Sequence, residues 1–140
     1  MSGATEARIG TRPRLGRVTV TGVGAAVVAA AVTTACAALA KAAGVDFEVP
    51  DGGEAIPVGG FATVTGFFSL VGVAVALALG RRSARPAQRF LQVTLALTTA
   101  SLVPPFLAGG NAATTATLVG LHLVAAAVVI PVVARALRTP

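Results

Sequence analysis

The only histidine of the chain, His122, lies well inside a long stretch that carries no formal charge. An ionisable side chain is costly inside a lipid bilayer, so His122 marks a candidate functional site. An imidazole there could transfer protons, contact a polar ligand or bind a metal ion. Several hydroxyl residues at a comparable predicted depth could hydrogen-bond the ring or line a ligand site: Thr65, Ser69, Thr98, Thr99 and Ser101. The alternative interpretation is a neutral histidine bonded to a neighbouring helix, because a neutral ring is cheaper to bury than a charge.

Other residues give little indication of catalysis or of a metal centre. No second ligand stands at metal-binding spacing from His122, and one cysteine, Cys36, excludes an intrachain disulfide and any paired-thiolate site. Ser69 lacks a Gly-x-Ser-x-Gly context, and no phosphate-binding loop is present. The acidic residues between 46 and 54 lack calcium-loop spacing and indicate a solvated loop. We therefore predict no catalytic residue, metal or cofactor, which argues against an enzyme.

The composition of the chain indicates a membrane protein. Of its 140 residues, 55% are hydrophobic and 11% are charged. The mean hydropathy is +0.85. A soluble domain carries roughly a quarter charged residues, so this chain is poor in the groups that make a water-soluble surface. The net charge is +6, but the basic residues flank apolar stretches instead of forming one stripe. We therefore expect no nucleic-acid partner.

Three uncharged stretches supply the elements that would position His122. Residues 18–40 and 58–80 contain 23 residues each, enough for a helix of about 34 Å across a ~30 Å hydrocarbon core. Residues 90–134 would form a helix of about 68 Å, which must fold back. Break signals cluster between Pro104 and Asn111, where Asn111 is expected to turn the chain or cap the last helix. We predict an all-α bundle of four transmembrane helices, over residues 18–40, 58–80, 90–107 and 114–134.

The basic residues predict how these helices are oriented. Four lie in the tail 1–17, four in the connection 81–89 and two at the C-terminus, whereas the loop 41–57 holds only one. Positive charge is retained in the cytoplasm, so both termini and the loop 81–89 are expected there, with the loop 41–57 outside.

The domain boundaries follow from the same pattern. Residues 1–17 form a basic cytoplasmic tail, residues 18–137 a single transmembrane domain and residues 138–140 a C-terminal tail. The first apolar stretch is longer than the 7–15-residue core of a signal peptide, which favours an uncleaved first helix.

Small residues at four-residue spacing predict close packing between helices, since van der Waals approach drives helix association in lipid. They occur in the first, second and fourth predicted helices: Gly22, Ala26, Gly72, Ala76, Gly80 and Gly120. They could pack the bundle internally, which is the commoner use, or form the seam of a homo-oligomer. The predicted partners are therefore the lipid bilayer and a second copy or a membrane partner subunit.

The segment 121–131, with the sequence LHLVAAAVVIP, resembles the last helix of a family of small, uncharacterised actinobacterial membrane proteins classed as a domain of unknown function. The segments 44–46, 56–59 and 101–105 fit the same pattern, and the resemblance covers roughly residues 18–137. It implies four helices in a bacterial plasma membrane. It implies no activity, so no functional residue is transferred from it.

Three functions follow as expectations, in decreasing order of support. The first is a non-enzymatic membrane protein that packs with itself, with lipid or with a partner subunit. The second is a small transporter or ligand-binding protein with a polar site beside His122, and the third is a membrane enzyme. A transporter or enzyme requires a polar cavity that reaches His122. A packing protein requires an enclosed histidine and an apolar face of small residues.

Overall fold

A computed structural model describes residues 13–139, and this part of the chain is almost entirely helical. Five helices follow one another: α1 (Leu15–Ala42), α2 (Val58–Arg82), α3 (Pro86–Ser101), α4 (Val103–Leu107) and α5 (Ala112–Arg138). Helices α3 and α4 together form one segment, Pro86–Leu107, so that four segments are each long and apolar enough to cross a membrane. The all-helical fold with four such segments is confirmed.

Four of the helices, α1, α2, α3 and α5, extend beyond the uncharged stretches that predicted them. Helix α1 includes Arg17 and Lys41, and α5 continues as far as Arg138. A helix need not end where the hydrocarbon ends, because long basic side chains extend their charged groups to the interface. Cations in the last turn also interact favourably with the negative end of the helix dipole. The charge pattern therefore outlines the apolar part of each helix and underestimates its length.

The proline pair Pro104–Pro105 separates α3 from α4. Both prolines occupy the first turn of α4, where a helix has no internal use for their missing N–H groups. Helix α3 ends at Ser101, and Leu102 separates it from α4. The Leu102 N–H is shared between the carbonyls of Thr98 and Thr99, both at 3.2 Å. The prolines thus begin a short new helix that continues the third segment.

Helices α2 and α5 hold the bundle together. Helix α1 packs against both of them, and α3 also contacts both, whereas α1 and α3 lie apart in the described chain. Near the ends rich in arginine, each long helix contributes one fully buried side chain to a common core: Val18, Ala76, Phe90 and Val133. A second cluster at the opposite end contains Ala37, Phe47 and Leu121.

Candidate functional site

His122 lies half-buried in the middle of α5. Its Nδ1 is 3.3 Å from the carbonyl oxygen of Leu118, one turn earlier in the same helix. Side chains of an α-helix tilt toward its N-terminus, so the ring reaches this carbonyl without help from a neighbouring helix. The carbonyl can take part because it keeps a second lone pair.

Among residues 13–139, none of the hydroxyl residues proposed as partners of His122 is hydrogen-bonded to its ring, and two of them donate within their own helix. Thr99 Oγ1 donates to the Leu95 carbonyl at 2.8 Å, and Ser101 Oγ donates to the Thr98 carbonyl at 2.8 Å. Ser69 is buried in α2 and Thr98 is half-buried in α3. Within residues 13–139, neither Ser69 nor Thr98 makes a side-chain hydrogen bond to the imidazole. The expected bond from His122 to a hydroxyl of the second or third segment is therefore not what the structure forms.

A different pair of hydroxyls connects two helices. Thr33 Oγ1 of α1 donates to Thr65 Oγ1 of α2 at 3.0 Å, and it also approaches the Ala29 carbonyl at 2.8 Å. Thr33 is 1% exposed, so this contact lies within the bundle. Thr65, which the sequence offered as a partner of His122, is thus used between α1 and α2. The sequence gives no signal for this pairing, because it depends on the rotation of both helices.

The small residues divide into an internal set and an open set. A Cβ added at Gly22 would lie 2.7 Å from Val73 Cγ2, and one at Gly80 would lie 2.9 Å from Leu15 Cδ2. Ala26 of α1 and Ala76 of α2 are also buried. By contrast, a Cβ at Gly72 or Gly120 would meet nothing within 4 Å. The first four residues pack the bundle, whereas Gly72 and Gly120 leave room for a close neighbour.

A hydrogen-bonded cluster joins the loop between α1 and α2 to the start of α5. We call its three residues, Asp46, Asn111 and Thr114, the loop clasp. Asp46 Oδ1 accepts from Thr114 Oγ1 at 2.9 Å, and Oδ2 accepts from Asn111 Nδ2 at 2.9 Å. Asn111 also caps α5, since its Oδ1 accepts the Thr114 N–H at 2.9 Å. The predicted capping role of Asn111 is confirmed, whereas the clasp is a finding of the structure.

The clasp favours the ionised form of its carboxylate. The backbone N–H of Glu48 donates to Asp46 Oδ1 at 3.1 Å. This bond is the largest cause that lowers the pKa of Asp46, and the Thr114 hydroxyl and the Asn111 amide act in the same direction. Partial desolvation opposes them without reversing the shift.

Packing and backbone bonds reinforce this loop. The ring of Phe47 is fully buried, with its centroid 5.0 Å from that of Phe61. The Asp51 N–H donates to the Gly109 carbonyl at 2.8 Å. Carboxylate oxygens of Asp46, Glu48 and Asp51 approach one another within 4.8 Å. Glu48 Oε2 accepts the Gly52 N–H at 2.9 Å, so this acidic cluster serves hydrogen bonds of the loop itself.

Basic residues occupy the other end of the bundle. Gly80 lies beside Leu15 and Leu137, which shows that the start of α1 and the ends of α2 and α5 meet there. Two surface grooves of about 370 Å³ each open at this end, one beside α3 and α5 and one between α1 and α5. Arginines line both grooves and His122 lines neither.

Four apolar segments, each long enough to cross a membrane, with polar loops at one end and arginines at the other, are compatible with a multi-pass membrane protein. The chain belongs to a family of unknown function (DUF6069), whose model matches residues 13–139. No curated protein and no solved structure matches the chain. The predicted membership in a family of unknown function is thereby confirmed, and this membership supplies no activity.

Proposed function

We propose that this chain is a non-enzymatic protein of a bacterial plasma membrane that packs laterally with a second copy of itself. The observation that carries the proposal is the division of the small residues. Gly22 and Gly80 are filled by neighbouring side chains, whereas Gly72 and Gly120 have open space where a Cβ would stand. Small residues permit the close backbone approach that drives helices together in lipid.

The proposed placement in the membrane follows the charges. Four acidic residues lie in the loop between α1 and α2, and the arginines of the described chain lie in or next to the terminal turns at the opposite ends of the helices. Positive charge is retained on the cytoplasmic side, so we place both termini in the cytoplasm and the loop clasp outside. The resemblance of the sequence supports an actinobacterial source. A partner subunit would use the same open positions as a second copy.

A transport or ligand-binding function is supported less well. It would need a polar cavity that reaches His122, and this residue lines neither of the two grooves at the arginine-rich end. Two of the hydroxyls that could line such a cavity, those of Thr99 and Ser101, donate to carbonyls of their own helix. A hydroxyl that donates within its own helix has no donor left for a ligand.

Substitution at the open glycines tests the proposal. We expect Gly72→Leu and Gly120→Leu to weaken self-association, because each fills the space needed for close approach without a clash inside the monomer. Gly24→Leu is the matched control, since Gly24 of α1 is also open but belongs to neither proposed packing position. Energy transfer between labelled copies, measured in bilayers over a range of protein-to-lipid ratios, reports the association. A wild-type protein that stays monomeric, or one that Gly24→Leu weakens equally, would overturn the proposal.

A further inference from the structure

The groove between α1 and α5 combines charge, hydroxyl groups and an apolar wall. Arg17 and Thr21 enter it from α1, and Arg135 and Thr139 enter it from the end of α5. Pro131 and Val132 complete the wall. The groove thus has cationic groups from two different helices and an apolar side that continues along α5.

The positive charge of this groove is not neutralised by the described carboxylates. Asp46, Glu48, Asp51 and Glu54 all follow the far end of α1. That helix contains 28 residues and is therefore about 42 Å long. Over such a distance, several Debye lengths at physiological ionic strength, the attraction is strongly screened. Among residues 13–139, no acidic side chain forms an ion pair with Arg17 or Arg135.

Of the two hydroxyl groups in the groove, only that of Thr21 adds hydrogen-bonding capacity, because Thr139 Oγ1 donates to the Arg135 carbonyl at 3.1 Å. Thr19, the neighbour of Thr21 in α1, donates to the Leu15 carbonyl at 2.9 Å. Thr21 Oγ1 has no such bond to any described residue and is half-buried at the groove. A guanidinium fork and a hydroxyl are the donors that recognise phosphate oxygens in proteins.

The position of the groove matches the level of lipid headgroups. Arg17 directly precedes the uncharged stretch of α1, and Arg135 directly follows that of α5. Both guanidinium groups therefore stand at the boundary between hydrocarbon and water. Basic grooves between membrane helices on the cytoplasmic side are suited to anionic headgroups.

We propose that this groove binds an anionic phospholipid, with its phosphate between Arg17 and Arg135 and an acyl chain along Pro131 and Val132. The inference rests on the proposed membrane placement but not on self-association. A free phosphate ion shares the headgroup chemistry, but it would leave the apolar wall without an occupant. The lipid itself is therefore the ligand that fits both parts of the groove.

Native mass spectrometry of the full chain, released from bilayers of defined composition, tests this proposal. We expect the monomer to retain one phosphatidylglycerol and to release phosphatidylcholine with the same acyl chains. A single basic residue near an anionic lipid surface contributes only a modest part of the binding free energy. Arg17→Gln and Arg135→Gln should therefore each weaken lipid retention about fivefold, and the double variant should weaken it roughly 25-fold. Arg81→Gln is the matched control: it removes the same charge at the same end, and Arg81 lines neither groove.

Three outcomes would overturn the proposal. Equal retention of phosphatidylcholine would show that the anionic headgroup is not recognised. An equal loss in Arg81→Gln would indicate diffuse attraction by the whole arginine-rich end. Displacement of the lipid by inorganic phosphate would assign the site to the free ion. Circular dichroism of each variant checks that the helices are intact. Because lipid retention is measured on the monomer, the result does not depend on whether the protein self-associates.

Discussion

At the scale of single residues, Asp46 connects two parts of the chain that are far apart in sequence. It accepts hydrogen bonds from Glu48, Asn111 and Thr114, and the last of these is 68 positions away. All three donors stabilise the carboxylate more than the neutral acid. Protonation of one group should therefore weaken the attachment of the loop to α5.

The pH dependence of the loop clasp follows from the lowered pKa of Asp46. A group whose pKa is lower in the folded state adds stability above its unfolded pKa, about 3.9 for aspartate. That stability is lost as the pH falls through the lower, folded value. We expect amide hydrogen exchange in residues 44–57 to accelerate as the pH falls below about 4, after correction for the intrinsic exchange rate.

Two substitutions separate Asp46 from the other carboxylates of the loop. Asp46→Asn should make amide hydrogen exchange in residues 44–57 faster at neutral pH. It should also abolish the further acceleration that the wild-type protein shows below about pH 4. Glu54→Gln should keep the wild-type profile, because Glu54 is exposed and its side chain makes no hydrogen bond with the described residues. An unchanged profile in Asp46→Asn would contradict the assignment.

His122 offers a second test at this scale. Its ring has one contact of 3.3 Å to the Leu118 carbonyl, so His122→Leu should change the free energy of unfolding by about 1 kcal/mol or less. His122→Lys should be worse by about 2.5–3.5 kcal/mol, the cost of a lysine at the centre of a membrane helix. Unfolding in mixed detergent micelles measures both. If lysine is tolerated as well as leucine, the side chain faces water and the transport interpretation becomes the stronger one.

At the scale of helices, Gly22 decides how closely α1 approaches α2. A methyl group there would lie 2.7 Å from Val73 Cγ2. Val73 is β-branched and 4% exposed, so it has little freedom to move aside. We expect Gly22→Ala to lower the free energy of unfolding by about 1–3 kcal/mol, the usual cost of overpacking.

The matched control for Gly22 lies two residues further along the same helix. Gly24 has nothing within 4 Å of an added Cβ. Gly24→Ala should therefore be neutral or slightly stabilising, since alanine is the better helix former. Unfolding free energies measured by steric trapping in bilayers would compare the two variants. Equal effects would show that α1 and α2 are not in close contact at Gly22.

The helices themselves could be predicted because a bilayer allows few alternatives. A spanning segment must satisfy its own backbone hydrogen bonds, so a long uncharged stretch predicts a helix. The break near Pro104 was also predictable, since proline has a fixed place in helices. The rotation of each helix was not, because small residues lie on several faces of α1 and α2. The sequence therefore could not distinguish the filled Gly22 from the open Gly72.

The loop clasp escaped prediction for a related reason. Asp46 and Asn111 are 65 residues apart, and no periodic pattern relates a loop to the start of a distant helix. The cap at Asn111 was predictable because it is local: its Oδ1 accepts the Thr114 N–H three residues on. Likewise, the ring of His122 uses a carbonyl of its own helix, whereas polarity alone suggested a partner on another helix.

At the scale of the whole molecule, the charges form two separate ends. Eight arginines of the described chain flank the ends of α1, α2, α3 and α5 at one end, and all four of its acidic residues lie near the clasp at the other. This separation has two consequences in a membrane with an anionic inner leaflet. By the positive-inside rule we expect the arginine-rich end to lie inside, with its arginines against the headgroups.

Cysteine labelling of intact cells tests this orientation directly. Cys36→Ala first removes the native thiol. Single cysteines then replace two exposed residues: Glu54, in the loop between α1 and α2, and Ala84, between α2 and α3. Glu54 is preferred to Gly52, whose φ of 79° disfavours any other residue.

We expect an impermeant maleimide to label Glu54→Cys in intact cells and Ala84→Cys only after permeabilisation. A cysteine at Thr139 should behave like the one at Ala84. Ala84 follows two membrane crossings and Thr139 follows four, so both lie on the same side of the membrane. Labelling of Glu54→Cys and Ala84→Cys from one side would contradict the four-span arrangement, and labelling of all three with sides exchanged would keep the fold but invert it.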